Sequence, residues 1–275
     1  MRRYATPLPP NRMAGAVTGR LAHFLDALAF LSRLAPPRSF TDASLIACVP
    51  WFAAAGLVLG CLFALAAALA LTFFSSLGTG PVAHTLGALA AAWLWLGLEL
   101  WCTRGLHWDG VADLGDACGS GAQGARFWEI LRDSRLGAFG ALSLLLVFSG
   151  HWVALAWHLA GGHWLALALA PAWGRACAVW LAASAPARES ASLGGLACAG
   201  ANPALSRAYA LAAVLSILVL FAFGLGFWQG LALLAGQCWL TRRLARLARA
   251  HGGLSGDFLG AAIELGQLWF LLATV

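Results

Sequence analysis

Three aspartates, Asp109, Asp113 and Asp116, stand at i, i+4 and i+7, a spacing that on a helix projects all three from one face. Side by side and unpaired, three carboxylates repel one another and raise one another's pKa. A hard divalent cation removes that conflict. Mg²⁺ is commonly held by one or two carboxylates, with substrate phosphates and waters completing its octahedron. The chemistry this pattern points to is phosphoryl transfer, in which the metal screens a diphosphate and stabilises the leaving group. The plain alternative is an exposed acidic helix face with no ligand. Gly110 and Gly115 beside the acids weigh against it. Each weakens a helix by roughly 1 kcal/mol relative to Ala, yet each allows close approach of a substrate or a neighbouring helix.

Two further constellations carry suitable chemistry. In Glu129 to Gly140, the cluster Arg132-Asp133-Ser134-Arg135 offers two guanidinium forks, which match phosphate oxygens bidentately. Asp133 has three readings: it orients an Arg, binds metal or acts as a base. Arg residues snorkelling at a membrane interface are the bland alternative, which suits Arg126 better than the cluster. In Gly252 to Ala261, a Gly-rich loop containing Gly253 enters a helix, an arrangement that offers backbone N–H groups to an anion. Asp257 there is a further candidate metal ligand. His107 precedes Asp109 by two, whereas His84, His151, His158 and His163 are expected at the opposite interface. Arg175, Glu99 and Glu264 fall inside apolar runs, where ionisable residues are costly and mark either function or pairing with another buried polar group.

The elements that must position these groups are set by composition. The chain has 275 residues, of which 61% are hydrophobic and 10% charged, far from the roughly 25% charged of a soluble domain; the mean hydropathy is +0.79. No charge occurs from Ala43 to Leu98, from Leu136 to Gly174 or from Ala208 to Thr241. A spanning helix needs about 20 apolar residues, so these runs describe an all-α, polytopic integral membrane bundle of six to seven transmembrane helices. Spans are expected near 46–73, 83–102, 138–159, 164–184 and 259–275, with one tilted or two short crossings in 208–241. Gly56 and Gly60 form a small-xxx-small pair suited to close helix packing. Residues 19–34 read as an interfacial helix preceding the bundle, after a flexible cytoplasmic lead-in at 1–18, so 19–275 is expected to be one membrane-embedded catalytic domain.

The net charge of +6 comes from 17 basic residues, all Arg, grouped in the loops between the spans. Basic loops mark the cytoplasmic side; seven spans put every Arg-rich loop there. The charge therefore reports topology, and nucleic acid is not an expected partner. The seven Cys lack a CxxC pair and support neither a disulfide framework nor a zinc site.

At all three constellations the sequence resembles the cobalamin synthase family, the adenosylcobinamide-GDP ribazoletransferases. That family's pattern T-G-G-L-H-x-D-G-L-A-D-T-A-D-G stands here from Thr103 to Ala117, M-x-D-S-R-x-G-x-F-G from Leu131 to Gly140, and G-G-x-T-G-D-x-L-G-A from Gly252 to Ala261. Upstream, Phe30 to Leu34 is similar to F-x-T-R-L and Trp51 to Gly60 to W-F-P-L-V-G-L-x-x-G. Arg104, Leu114, Ala117 and Ala53 depart from the pattern, but no carboxylate or paired Arg is lost. The resemblance implies the step that attaches the lower ligand of coenzyme B12. The 5′-hydroxyl of α-ribazole, or its 5′-phosphate analogue, is expected to attack the phosphate nearer the cobinamide in adenosylcobinamide-GDP and release GMP, with Mg²⁺ required.

On that resemblance Asp109, Asp113, Asp116 and Asp257 are the expected metal ligands. Arg132, Arg135, Ser134, Gly253, Arg33 and Arg175 are the expected substrate contacts, and Asp133 or His107 the expected base. The setting implied is a bacterial inner membrane with the site facing the cytoplasm. Whether copies associate into a homo-oligomer is open. Two rivals are a CDP-alcohol phosphatidyltransferase and a membrane transporter. The first would need Ala where Asp113 stands and a matching D-x-x-x-D downstream; the second would need paired broken helices in two halves.

Overall fold

A computed structural model of the chain describes residues 12–36, 39–78 and 80–275. Twelve α-helices make up the described residues, with a single isolated β-bridge between Ala187 and Leu254. Residues 1–11 of the expected lead-in lie outside the described residues. Residues 12–18 are helical, so α1 (Arg12–Leu31) starts seven residues before the expected position.

Capping chemistry punctuates the entry to the bundle. Thr41 and Ser44 form a capping box that opens α2 (Asp42–Cys48), satisfying N–H groups the helix cannot pair internally. A short 3₁₀ turn holding Pro50 leads into α3 (Phe52–Ser76). A short turn after Ser76 then delivers α4 (Pro81–Thr103), with Pro in its first turn, where a missing N–H costs nothing. Two short amphipathic helices, α5 (Leu106–Gly119) and α6 (Ala125–Leu131), follow before the chain re-enters the bundle as α7 (Ala138–Ala160) and α8 (Trp164–Ala182). Then come α9 (Leu193–Gly200), α10 (Pro203–Ala222), α11 (Phe227–Ala250) and α12 (Gly256–Ala273).

Among the described residues, six helical stretches are long and apolar enough to cross a membrane: Asp42–Ser76, Pro81–Thr103, Ala138–Ala160, Trp164–Ala182, Pro203–Ala222 and Gly256–Ala273. Helix α11, 24 residues long, traverses the same depth as α12. Gln229 at its start bonds the C-terminal carbonyl of Val275, and its other end turns at residues 251–255 directly into α12. Its last turns carry Arg242, Arg243, Arg246 and Arg249, which is why composition alone leaves it out. The chain is a multi-pass membrane protein.

Packing is tightest between α3 and α8. A Cβ on Gly56 or Gly60 would collide with the carbonyl oxygens of Pro171 or Ala168, as small-xxx-small packing requires. Large apolar side chains face outward, among them Leu146 at 74% and Trp228 at 75% exposure; in a bilayer, that surface meets lipid. Inside, Trp95, Phe63, Phe258 and Phe270 are fully buried. His151 and His158 depart from expectation: both are fully buried, with His151 against Val147 and His158 on the carbonyl of Leu271. His84 and His163 are exposed.

Candidate active site

All three sequence constellations meet at one end of the bundle, where α5, α6 and the loop before α12 converge. Gly110 sits where α5 crosses the first turn of α12. A Cβ there would lie 2.6 Å from the carbonyl oxygen of Asp257, so the absence of a side chain brings Asp257 beside the aspartate stripe. Burial, and then the charges of Asp109, Asp257 and Asp116, push the Asp113 carboxyl up to about 7. Asp109 is exposed, while Asp113 and Asp257 are half-buried. Four carboxylates therefore feel one another here, as the i, i+4, i+7 spacing implied for three.

Asp116 is also tied to the neighbouring helix. Its two oxygens accept hydrogen bonds from the backbone N–H groups of Gly137, at 2.7 Å, and Gly140, at 2.8 Å. It anchors the first turn of α7, where a negative charge is also favoured by the helix dipole. Among the described residues no three His, Cys, Asp or Glu side chains close around a cation by themselves. The donors still suit Mg²⁺. Asp109, Asp113 and Asp257 present hard carboxylate oxygens, which this ion takes in ones and twos with phosphate and water supplying the rest.

The second constellation splits. Short helix α6 docks through Trp128, whose indole N–H donates to the carbonyl of His251 at 2.8 Å, and through Phe127, which stacks on the His251 ring at 3.7 Å. Arg132 follows directly and pairs with Glu189. Asp133 and Arg135 pair with each other instead. The Arg135 guanidinium reaches both Asp133 oxygens, at 2.7 to 3.2 Å, and holds that carboxyl at about 2. The pair and Ser134 lie outside the walls of the cavities described below.

In the third constellation Gly253 is needed for its backbone rather than for an anion. Its φ is +134°, and a Cβ would lie 2.5 Å from the Arg188 nitrogen. Its own N–H is spent on the Ala248 carbonyl at 2.8 Å. Leu254 accepts from the Arg188 N–H at 2.9 Å and donates to Pro186 at 2.8 Å. This one bridge sets the position of Arg188, whose guanidinium lies 4.0 Å from the centre of the Trp128 ring, a favourable cation–π geometry. Sequence reasoning did not single out Arg188. Its signal was an Arg-Glu pair in an otherwise uncharged stretch from Ala185 to Ser206.

Two cavities open here and share a wall made by Leu193, Gly194, Gly256 and Asp257. The first, about 210 Å³, is lined by apolar side chains from α1, α3, α5, α8, α9 and α12, with Asp109, Asp257 and His107 as its polar groups. The second, about 310 Å³, is lined by Arg132, Arg188, Glu189, Ser192, Ser255 and Trp128, among others. One is greasy and one is charged, and Asp257 borders both.

Other expected contacts lie elsewhere. Arg175 is fully buried inside the bundle, donating to Gln267 at 3.0 Å and to the Pro171 carbonyl at 3.3 Å, with Glu99 at 3.6 Å. It is one half of a buried ion pair and lines neither cavity. Arg33 is exposed, with its guanidinium over the Trp101 ring, and lines neither cavity. His107 does line the apolar cavity; burial and nearby Arg175 lower its pKa to about 3. Its Nδ1 lies 3.5 Å from Glu264. Arg104, where the family pattern has Gly, holds φ of 60°, the one positive value at a non-glycine among the described residues.

A family model described as cobalamin-5-phosphate synthase matches residues 23–275. The chain belongs to that family. The matched span runs from α1 to the C-terminus, so every helix lining the two cavities is part of the cobalamin-5-phosphate synthase unit. Similar members include an adenosylcobinamide-GDP ribazoletransferase of Nitratidesulfovibrio vulgaris (strain DP4), 43% identical over 88% of this chain and 93% of that protein. The protein of the same name in Syntrophobacter fumaroxidans is 37% identical over 92% and 97% of the two chains. A Vibrio cholerae member is 30% identical over 94% and 95%. No solved structure matches the chain.

Proposed function

We propose that this chain is an Mg²⁺-dependent adenosylcobinamide-GDP ribazoletransferase, joining α-ribazole or its 5′-phosphate to adenosylcobinamide-GDP with release of GMP. The observation that carries the reading is Asp257, set beside Asp109 and Asp113 on the wall between an apolar cavity and one holding Arg132 and Arg188. When bound, Mg²⁺ would neutralise the diphosphate and stabilise departing GMP, and Asp109, Asp113 and Asp257 are the residues to hold it. Arg132 and Arg188 present guanidinium forks to diphosphate oxygens. Glu189, paired with Arg132, keeps that fork in place until substrate charge replaces it.

The family's description names a product that keeps a 5-phosphate. The attacking group is therefore a hydroxyl elsewhere on the ribose. Of the two candidate bases, Asp133 is held ionised by Arg135 and lies outside both cavities. His107 keeps an unprotonated nitrogen in the apolar cavity wall beside Asp109. Its depressed pKa limits the pull on a proton and suits accepting a hydrogen bond from the attacking hydroxyl. The end of the bundle that holds these groups also carries Arg126, Arg132, Arg188, Arg246 and Arg249. By the basic-loop rule that end faces the cytoplasm of a bacterial inner membrane.

Release of GMP from adenosylcobinamide-GDP by the purified chain in detergent tests the reading, with and without α-ribazole and Mg²⁺. Release is expected only when all are present. Asp109→Asn and Asp257→Asn should each lower it by about 100-fold or more, the scale of losing transition-state charge stabilisation, with unchanged thermal unfolding. Undiminished turnover in EDTA would remove the metal assignment. No GMP release at all would return the lipid-phosphotransferase and transporter readings.

A further inference from the structure

We infer that the apolar cavity is the seat of the acceptor's fused-ring base, and that the two cavities divide the two substrates between them. The inference rests on the transferase reading above and adds which wall each substrate uses. Size decides first. The cavity encloses about 210 Å³, whereas pockets that bury a drug-sized ligand run to about 300–1,000 Å³. An apolar cavity of about 150 Å³ takes up a single benzene ring. A flat bicyclic base fits in this volume, and a corrin macrocycle does not.

Polarity decides second. Phe30, Phe52, Leu106, Val179, Leu259 and Ile263 are among the apolar side chains that dominate the wall. A guanine seated there would bury its carbonyl and ring acceptors without donors, and unpaired buried polar groups are costly. A benzimidazole-type base has no exocyclic donor or acceptor and buries a single ring-nitrogen acceptor, so it loses far less on entry. Its apolar faces instead match the aromatic rings of Phe30 and Phe52, which stack on each other at 5.9 Å.

Position decides third. The polar groups of this cavity are Asp109, His107 and Asp257, and Asp257 borders the Arg132–Arg188 cavity as well. A nucleoside with its base among the aromatic and aliphatic side chains has its ribose at that border. Its hydroxyls then face the place where the diphosphate would lie.

Two variants in the last turns of α8 test this, Ala182→Leu to fill the cavity and Val179→Ala to widen it. For Ala182→Leu the KM for α-ribazole should rise at least about tenfold, the scale of misfit in an apolar pocket, while the KM for adenosylcobinamide-GDP stays within about twofold. Val179→Ala should shift relative kcat/KM toward α-ribazole analogues with a larger ring system, and it serves if Ala182→Leu fails to fold. An unchanged α-ribazole KM, or a rise confined to adenosylcobinamide-GDP, overturns the inference, as does an unaltered base preference in Val179→Ala. Wild-type chain without ribazole-dependent GMP release would instead overturn the transferase reading, so the two failures are told apart.

Discussion

Asp116 and Gly140 are joined across the gap between α5 and α7 by a hydrogen bond of 2.8 Å, donated by the Gly140 backbone N–H. With the matching bond from Gly137, it ties the acidic stripe to the start of a membrane span. Hydrogen bonds to a charged group contribute about 1.5–3 kcal/mol each. Asp116→Ala, which removes both, is therefore expected to lower stability by roughly 3–6 kcal/mol, and Asp116→Asn, which keeps one acceptor, by less. Thermal unfolding in detergent reads the effect. A loss of turnover like that of Asp109→Asn, with unfolding unchanged, would return Asp116 to the metal.

Arg188 and Arg135 are equally charged and differently placed. Arg188 lines the charged cavity over Trp128, while Arg135 is engaged by Asp133 outside it. Losing one charged hydrogen-bond donor to phosphate at about 1.5–3 kcal/mol should raise the KM for adenosylcobinamide-GDP by about 10- to 100-fold in Arg188→Ala. Arg135→Ala should leave it nearly unchanged. Steady-state kinetics of the two side by side checks the assignment, and equal effects would refute it.

Acid should loosen the contact between α6 and the loop before α12. The His251 ring is stacked on Phe127, and burial lowers its pKa below the usual 6.5. The unfolded chain then binds the proton more readily than the native one, so stability rises with pH through that window and is lost as pH falls below about 6.5. In His251→Phe the proton has nowhere to bind. The difference in unfolding temperature between wild type and variant should move in the variant's favour from pH 7.5 to pH 5; a constant difference would count against it.

Arg104 holds a left-handed backbone, φ 60°, in return for a hydrogen bond from its side chain to the Phe30 carbonyl at 3.0 Å. The left-handed conformation costs a non-glycine residue roughly 1–2 kcal/mol. Arg104→Ala keeps that cost and loses the bond, whereas Arg104→Gly removes both. The glycine variant should exceed the alanine variant by about 1 kcal/mol in unfolding free energy, and the reverse order would show that the strain is absent.

The bundle itself was legible along the chain because lipid imposes one-dimensional rules. A span must be long and apolar, and basic loops must collect on one side. Those rules place the spans at 42–76, 81–103, 138–160, 164–182 and 256–273 within a few residues of expectation, whereas the stretch 208–241 holds parts of two full-length helices rather than one tilted or two short crossings. They leave out α11, whose glutamines and four arginines dilute its apolar count. The acidic stripe was equally legible, since i, i+4, i+7 is a property of a helix and needs no partner.

Which acids remain for a cation, and which arginines face a substrate, depended on neighbours far away in sequence. Asp116 is used by glycines 21 and 24 residues on, Arg175 by Gln267 and Glu99 inside the bundle, and Arg135 by Asp133. Arg188 enters only because Leu254 bridges to its strand-like segment. Spacing reports what a helix face can offer. Burial and hydrogen-bond demand, which the fold alone sets, determine which of those offers are already taken.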